Sequence, residues 1–188
     1  FNAPDEQIQK KGTEVKESEV TFVMTACGRV DLLEKTMDSF FKHNKYPIKK
    51  YIIAEDSNDA QIHQKCLELN ERKYGGQLQF IFNSPKRGQA SSIDNTYKEV
   101  DTKYVFHCEE DWEFYRSNFI EASIRVLEAD ESILQAWIRP KSDKILNNIE
   151  ENGIELNGVK VRNVLPISFM VKGGGPNGSD LIVRDYMG

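Results

Sequence analysis

Four short apolar runs, Val20–Ala26, Tyr51–Ala54, Leu78–Phe82 and Tyr104–Cys108, are separated by segments whose apolar residues recur at helical spacing. No other feature constrains the fold as strongly. Each run is rich in β-branched or aromatic residues and is bounded by turn formers, as strands are. Between the first two, Leu32, Leu33, Thr36, Met37, Phe40 and Phe41 line one face of a helix. Between the second and third, Ile62, Cys66, Leu67 and Leu69 predict a buried helical face from Asp59 to Tyr74, closed by Gly75-Gly76. A third helix is predicted over Gln89–Val100. Strands that alternate with helices are joined by crossovers. The predicted fold class is therefore α/β, a mostly parallel sheet with helices on both faces.

The fourth run predicts a strand buried between layers, and it stops at three consecutive carboxylates, Glu109-Glu110-Asp111. The C-terminal ends of parallel strands form the rim where ligands bind. Three acids there repel one another unless a cation or a donor-rich ligand neutralises them. The first two strands end on the same rim, in Thr25-Ala26-Cys27-Gly28-Arg29 and in Glu55-Asp56-Ser57. Asp31 and Asp59 have a simpler reading as helix N-caps. Asp56 comes one residue too early for a cap and suits an acceptor for a nucleobase N–H. Arg29, beside acids and an expected phosphate, reads as a charge-balancing or phosphate-binding group. A solvated loop could also carry the three acids, but it gives no reason for the bulky Trp112 and Phe114 that follow. The acid cluster suits a hard divalent ion, Mn2+ or Mg2+, with positions left for a diphosphate.

The flanking regions are less patterned. Residues 1–18 are a polar tail and residues 19–188 one domain, which 188 residues can fill with a real core. Ser117 is predicted to cap a helix through Phe119, Ile120, Ile124, Val126 and Leu127, and Ile133–Ile138 to form a strand. Asn152-Gly153 and Asn157-Gly158 predict hairpins or loops. The stretch Gly173-Gly174-Gly175-Pro176-Asn177-Gly178 is backbone able to approach a ligand. The chain lacks an initiator methionine and stops soon after the glycine stretch, as expected of a fragment or a processed form.

Several classes are disfavoured. A net charge of −5 with no basic stripe argues against a nucleic-acid partner. No apolar run approaches the ~20 residues of a transmembrane segment. No G-x-G-x-x-G, G-x-x-x-x-G-K-[ST] or G-x-S-x-G is present. Cys27, Cys66 and Cys108 lack zinc-site spacing, and Cys27 and Cys108 are expected to be buried thiols, which fits a reducing, cytoplasmic setting. His43, His63 and His107 are far apart, and His107 is expected to be structural.

Val23-Met24-Thr25-Ala26-Cys27-Gly28-Arg29 followed by Leu33-x-x-Thr36-Met37-x-Ser39-Phe40 resembles the opening of family 2 glycosyltransferases of the GT-A fold. Ile52-Ile53-Ala54-Glu55-Asp56-Ser57-Asn58-Asp59 is similar to their second strand. Glu109-Glu110-Asp111-Trp112-Glu113, with Phe119 downstream, resembles the E-D-D-L-E…F form of the D-x-D motif. That form occurs in the N-acetylglucosaminyltransferases that initiate complex N-glycans. Leu127-Glu128-Ala129-Asp130-Glu131-Ser132…Ala136-Trp137 agrees with it. The resemblance covers roughly residues 20–140.

It implies a metal-dependent transferase that moves a sugar from a nucleoside diphosphate sugar, a UDP-sugar above all, to a hydroxyl of a glycan or related acceptor, with inversion. By the same resemblance Arg29 contacts the diphosphate, Asp56 the uracil, and Glu109 and Glu110 the ribose and metal side. Asp111 is the direct metal ligand. Thr25, Ala26 and Glu55 belong to the strand ends that meet the nucleotide, and Arg87 and Gly88 to the loop that packs on it. An inverting reaction also needs a carboxylate base. Asp180 and Asp185 are the late candidates, with a plain loop acid as the simpler reading of each. Two alternatives remain: a sugar nucleotidyltransferase, and a non-catalytic nucleotide- or glycan-binding module of the same fold.

Overall fold

The computed structural model describes residues 18–138, 153–164 and 182–186. The polar tail through residue 17, Asn152, the glycine stretch and Asp180 lie outside the described residues. The chain forms two compact units. The first contains the described residues of Phe1–Gly28 and Pro47–Glu109, and the second those of Arg29–Tyr46 and Glu110–Gly188.

The first unit is built on four parallel strands: β1 (Val20–Ala26), β2 (Lys50–Glu55), β3 (Leu78–Phe82) and β4 (Tyr104–Glu109), in the order β3-β2-β1-β4. Central β1 is buried along its whole length, which explains its largely apolar, β-branched sequence. Two helices of this unit are α2 (Ala60–Tyr74) and α3 (Gln89–Lys98). The β2-to-β3 step runs away from β1, whereas the β3-to-β4 connection returns past it. Right-handed crossovers therefore place α2 and α3 on opposite faces. Accordingly α3 lies against β1 and β2, and α2 against β3. Thr25 pairs with Ala54 on one side and Glu109 on the other, and Ala26 pairs with Glu55, so these strand ends share one edge.

Asp59 caps α2 as expected, accepting from the Gln61 and Ile62 N–H groups, and Gly75 ends it in the left-handed conformation. Two expectations in this unit fail. Among the described residues β4 is the last strand of this sheet, and Val105, expected to be buried between layers, is exposed there. Leu67 is 42% exposed, because Cys66, Leu69, Asn70 and Tyr74 define the inward face of α2.

The second unit holds α1 (Val30–His43), α4 (Phe119–Leu127) and a mixed sheet of β5 (Ile133–Ile138), β6 (Ile154–Leu156), β7 (Val159–Val164) and β8 (Ile182–Tyr186). The order is β5-β8-β7-β6, with β5 and β8 parallel and the other pairs antiparallel. Its core brings together Ala122 and Val126 of α4 with Ile133, Val159 and Val161. Asn157-Gly158 forms the expected tight turn between β6 and β7, with φ of 48° and 75°. This is the doubly positive geometry that Asn-Gly favours. Phe114 is fixed by edge-on contact with Phe40 at 5.4 Å and by stacking on Phe119 at 5.0 Å.

Both expected caps in this unit are displaced. Arg29, not Asp31, occupies the N-cap position of α1, and its carbonyl accepts from the Leu32 and Leu33 N–H groups at 3.0 Å. Asp31 falls inside the first turn, where its charge complements the helix dipole. Asn118, not Ser117, precedes α4, in the left-handed conformation and without a side-chain cap bond.

Candidate functional site

The edge of the first unit at the ends of β1, β2 and β4 gathers three carboxylates, two of which, Glu55 and Asp56, are buried in different surroundings. Glu55, 1% exposed, accepts the Gly28 N–H on both oxygens at 3.1 Å and the Ser57 N–H at 2.7 Å. Its carboxylate ties the loop after β1 to the loop after β2. Asp56, 5% exposed, is held by a different set of donors. Its Oδ1 accepts from the Asn83 amide at 2.9 Å and the Arg87 N–H at 2.7 Å, and its Oδ2 from the Gly88 N–H at 2.8 Å.

Burial alone would push the Asp56 carboxyl up. The hydrogen bonds from Arg87, Asn83 and Gly88, with Lys86 nearby, outweigh it and hold the group below the usual carboxylate range. Each carboxylate oxygen can accept twice. Oδ2, with one donor assigned, keeps a lone pair for a further N–H.

This arrangement depends on the loop from Asn83 to Gly88. Gly88 has φ 82° and ψ 163°, a conformation open essentially to glycine, and it carries the chain into α3 while its N–H points at Asp56. Asn83 also donates to the Ser92 hydroxyl at 2.8 Å, and Ser92 donates to the Gly88 carbonyl at 2.9 Å. Asn83 and Ser92 escaped the sequence reading. Their one signal was an Asn opening a turn-rich loop and a Ser in the first turn of the helix after it, which turn and cap propensity explain equally well. The Asp56 N–H donates to the Ala26 carbonyl at 2.9 Å, and Thr25 is buried in the pairing between β2 and β4. Cys27, expected to be buried, is exposed, because it lies one residue past β1. Its sulfur accepts from Lys86 Nζ at 3.3 Å. Glu109 accepts from the Gln89 amide at 2.7 Å.

The second unit carries the remaining acids. Arg29 Nε donates to Glu110 Oε1 at 2.5 Å, and its terminal nitrogen reaches Asp111 Oδ2 at 3.3 Å. The hydrogen bond and charge of Glu110 raise the guanidinium pKa further, so Arg29 is a permanent cation there. Glu110 is buried under this pair, whereas the Asp111 side chain is 43% exposed. The backbone beside Asp111 is held by α1. Thr36 Oγ1 bridges the Glu110 carbonyl at 2.6 Å and the Trp112 carbonyl at 2.7 Å, and the Phe114 N–H donates to Ser39 Oγ at 3.1 Å.

A metal ion fits the residues present. Asp111 offers an exposed carboxylate with one long contact. Hard divalent ions of the Mg2+ kind are commonly bound by one or two carboxylates, with water and substrate phosphate completing the shell. Among the described residues no group of three or more His, Cys, Asp or Glu side chains is arranged to hold an ion. Phosphate and water would therefore have to supply most of the coordination.

Asp185 lies on β8, with its backbone in register between Trp137 of β5 and Arg162 of β7. His107 is half-buried in β4, and its Nδ1 lies 3.1 Å from the Tyr97 hydroxyl. Burial pushes its imidazole down, against the opposing pull of Glu109. No helix among the described residues is long and apolar enough to cross a membrane.

Comparison with curated proteins finds no match. The sequence model of one family, described as glycosyl transferase family 2, matches residues 21–173, from the second residue of β1 to beyond β7. That span takes in the parallel sheet with both acid-bearing strand ends. The chain belongs to glycosyl transferase family 2 and is a glycosyltransferase of the GT-A kind.

Proposed function

We propose that this transferase is metal-dependent and uses a UDP-sugar, passing a hexosyl-type group with inversion to a hydroxyl of a glycan or related acceptor. One observation carries the reading. Asp111 presents an exposed carboxylate directly after β4, with the Arg29 cation spanning it and Glu110. This is the pairing of acid and fixed positive charge that a metal-bound diphosphate uses.

In this reading Asp56 receives the uracil N–H on the lone pair left on Oδ2, and Arg87 and Gly88 hold it in place through their N–H groups. Glu55 braces the loops from beneath, and Thr25 and Ala26 provide the strand end on which the nucleotide rests. Glu109 and Glu110 face the ribose and the metal. Arg29, once a diphosphate is present, turns its terminal nitrogen from Asp111 to the phosphate oxygens while Nε stays on Glu110. Asp111 would hold Mn2+ or Mg2+, and the ion, when bound, neutralises charge building up on the leaving diphosphate. The general base is assigned to Asp180 or Asp185. Action in the cytoplasm belongs to the same reading, since the three cysteines lack the spacing of a disulfide framework.

Titration with UDP in the presence and absence of Mn2+, followed by assays of UDP-sugar hydrolysis and transfer, tests the proposal. Binding strengthened by Mn2+ together with turnover is expected. Asp111→Ala should lower metal-dependent turnover at least ~100-fold with the fold intact. Unchanged donor hydrolysis in that variant would sink the metal assignment, and binding without any turnover would make the chain a binding module.

A further inference from the structure

The hydroxyl chemistry of α1 has a use outside the helix. A threonine inside a helix commonly donates back to a carbonyl of the preceding turn. Thr36, 1% exposed, instead shares its one hydroxyl proton between the Glu110 and Trp112 carbonyls. These two carbonyls flank Asp111 in the chain. One helical step further on, Ser39 donates to the Thr36 carbonyl at 2.9 Å and accepts the Phe114 N–H at 3.1 Å. Arg29 is the N-cap of α1, and Thr36 and Ser39, three residues apart, share a face of it. The cap and that face together meet the acid segment at the Glu110 side chain, at the backbone on both sides of Asp111, and at Phe114.

From this we infer that Thr36 and Ser39 are positioning residues for Asp111, an inference that rests on the reading of Asp111 as the metal ligand. Buried carbonyls need partners. With Glu110 and Trp112 anchored through one hydroxyl, the Asp111 backbone is fixed on both sides. Its carboxylate is left to turn about its own side-chain bonds alone. A ligand held this way loses little freedom when it takes up an ion, and supporting hydrogen bonds of this kind typically govern metal affinity 10- to 100-fold. Arg29 caps the same helix, so the proposed phosphate-binding cation and the proposed metal ligand are mounted on a single support.

The test is Mn2+ titration of the full chain in the presence of UDP, by calorimetry or by the Mn2+ paramagnetic resonance signal, on wild type, Thr36→Val, Thr36→Ser and Ser39→Ala. Thr36→Val should weaken Mn2+ binding about tenfold. It should raise the Mn2+ concentration for half-maximal turnover while UDP binding without metal stays the same. Thr36→Ser should restore the affinity to within about twofold, and Ser39→Ala should lose about threefold. A folded Thr36→Val with wild-type Mn2+ affinity overturns the inference while leaving the metal assignment standing. If the wild type takes up no Mn2+ with UDP, the metal assignment falls and the positioning role falls with it. Should Thr36→Val not fold, Ser39→Ala decides, and unchanged affinity there overturns the inference.

Discussion

Asp56 and Asp111 both follow a parallel strand, within two residues of its end, yet the protein treats them in opposite ways. Asp56 is buried and accepts three hydrogen bonds, two of them from backbone N–H groups that cannot swing away. Asp111 is exposed, and the terminal nitrogen of Arg29 approaches it at 3.3 Å. The first carboxylate is part of the framework, because removing it strands three donors. The second is offered outward on an anchored backbone and can exchange its partner at little cost. Position at a strand end is therefore no guide to role. The number and rigidity of the donors around each acid separate the one that builds a loop from the one available to a cation.

The largest expected effect tests that contrast directly. Asp56→Ala should cost about 3 kcal/mol of stability, because the Arg87 and Gly88 N–H groups and the Asn83 amide lose their acceptor in a buried setting. Asp111→Ala should stay within about 0.5 kcal/mol of wild type, as exposed substitutions usually do. Urea denaturation of both variants measures the difference. Equal losses would break the comparison, since Asp111 would then be as structural as Asp56.

Much of the fold was legible because it rests on local pattern. β1, β3 and β5 have the limits expected from their apolar runs, Asp59 caps α2, and Asn157-Gly158 makes the turn. The missed site contacts share a cause, which is that they depend on partners distant in sequence. Thr36 meets Glu110 and Trp112 from 74 and 76 residues away, and Asn83 meets Asp56 from 27. Neither residue type carries a signal of its own for such a contact. The exposure of Val105 on β4 likewise depends on what packs against the strand rather than on its composition. Asp31 and Ser117 are acceptable cap residues, each displaced by where its helix begins.

A middle-sized effect separates two groups by pH. Asp56 is held below its ordinary value, so the stability it contributes is complete above that value and is lost in strong acid, as pH falls through its folded value. His107 is also held below its ordinary value, 6.5, but by burial, which disfavours its charged form. Below 6.5 the unfolded chain takes up the proton first. Stability complete above 6.5 should then decline as pH falls through 6.5 toward the folded value. Melting temperatures between pH 5 and 7.5 should show this decline in wild type and a flatter profile in His107→Gln. An unchanged slope in the variant would assign the dependence elsewhere and leave Asp56 as the better-defined acid-sensitive group.

The smallest effect isolates burial from satisfaction. His63 on α2 stacks against Phe82 at 4.3 Å, and its Nε2 is buried with no hydrogen-bond partner. It is the converse of Asp56, a buried polar atom without donors or acceptors around it. If partners rather than burial determine stability, His63→Phe should keep the stacking and remove the unmet nitrogen. A gain of about 1 kcal/mol is expected, close to 3 °C in melting temperature for a chain of this length. A loss of similar size would mean that the imidazole contributes through its polarity. Donor count would then govern carboxylates such as Asp56 and not buried polar groups in general.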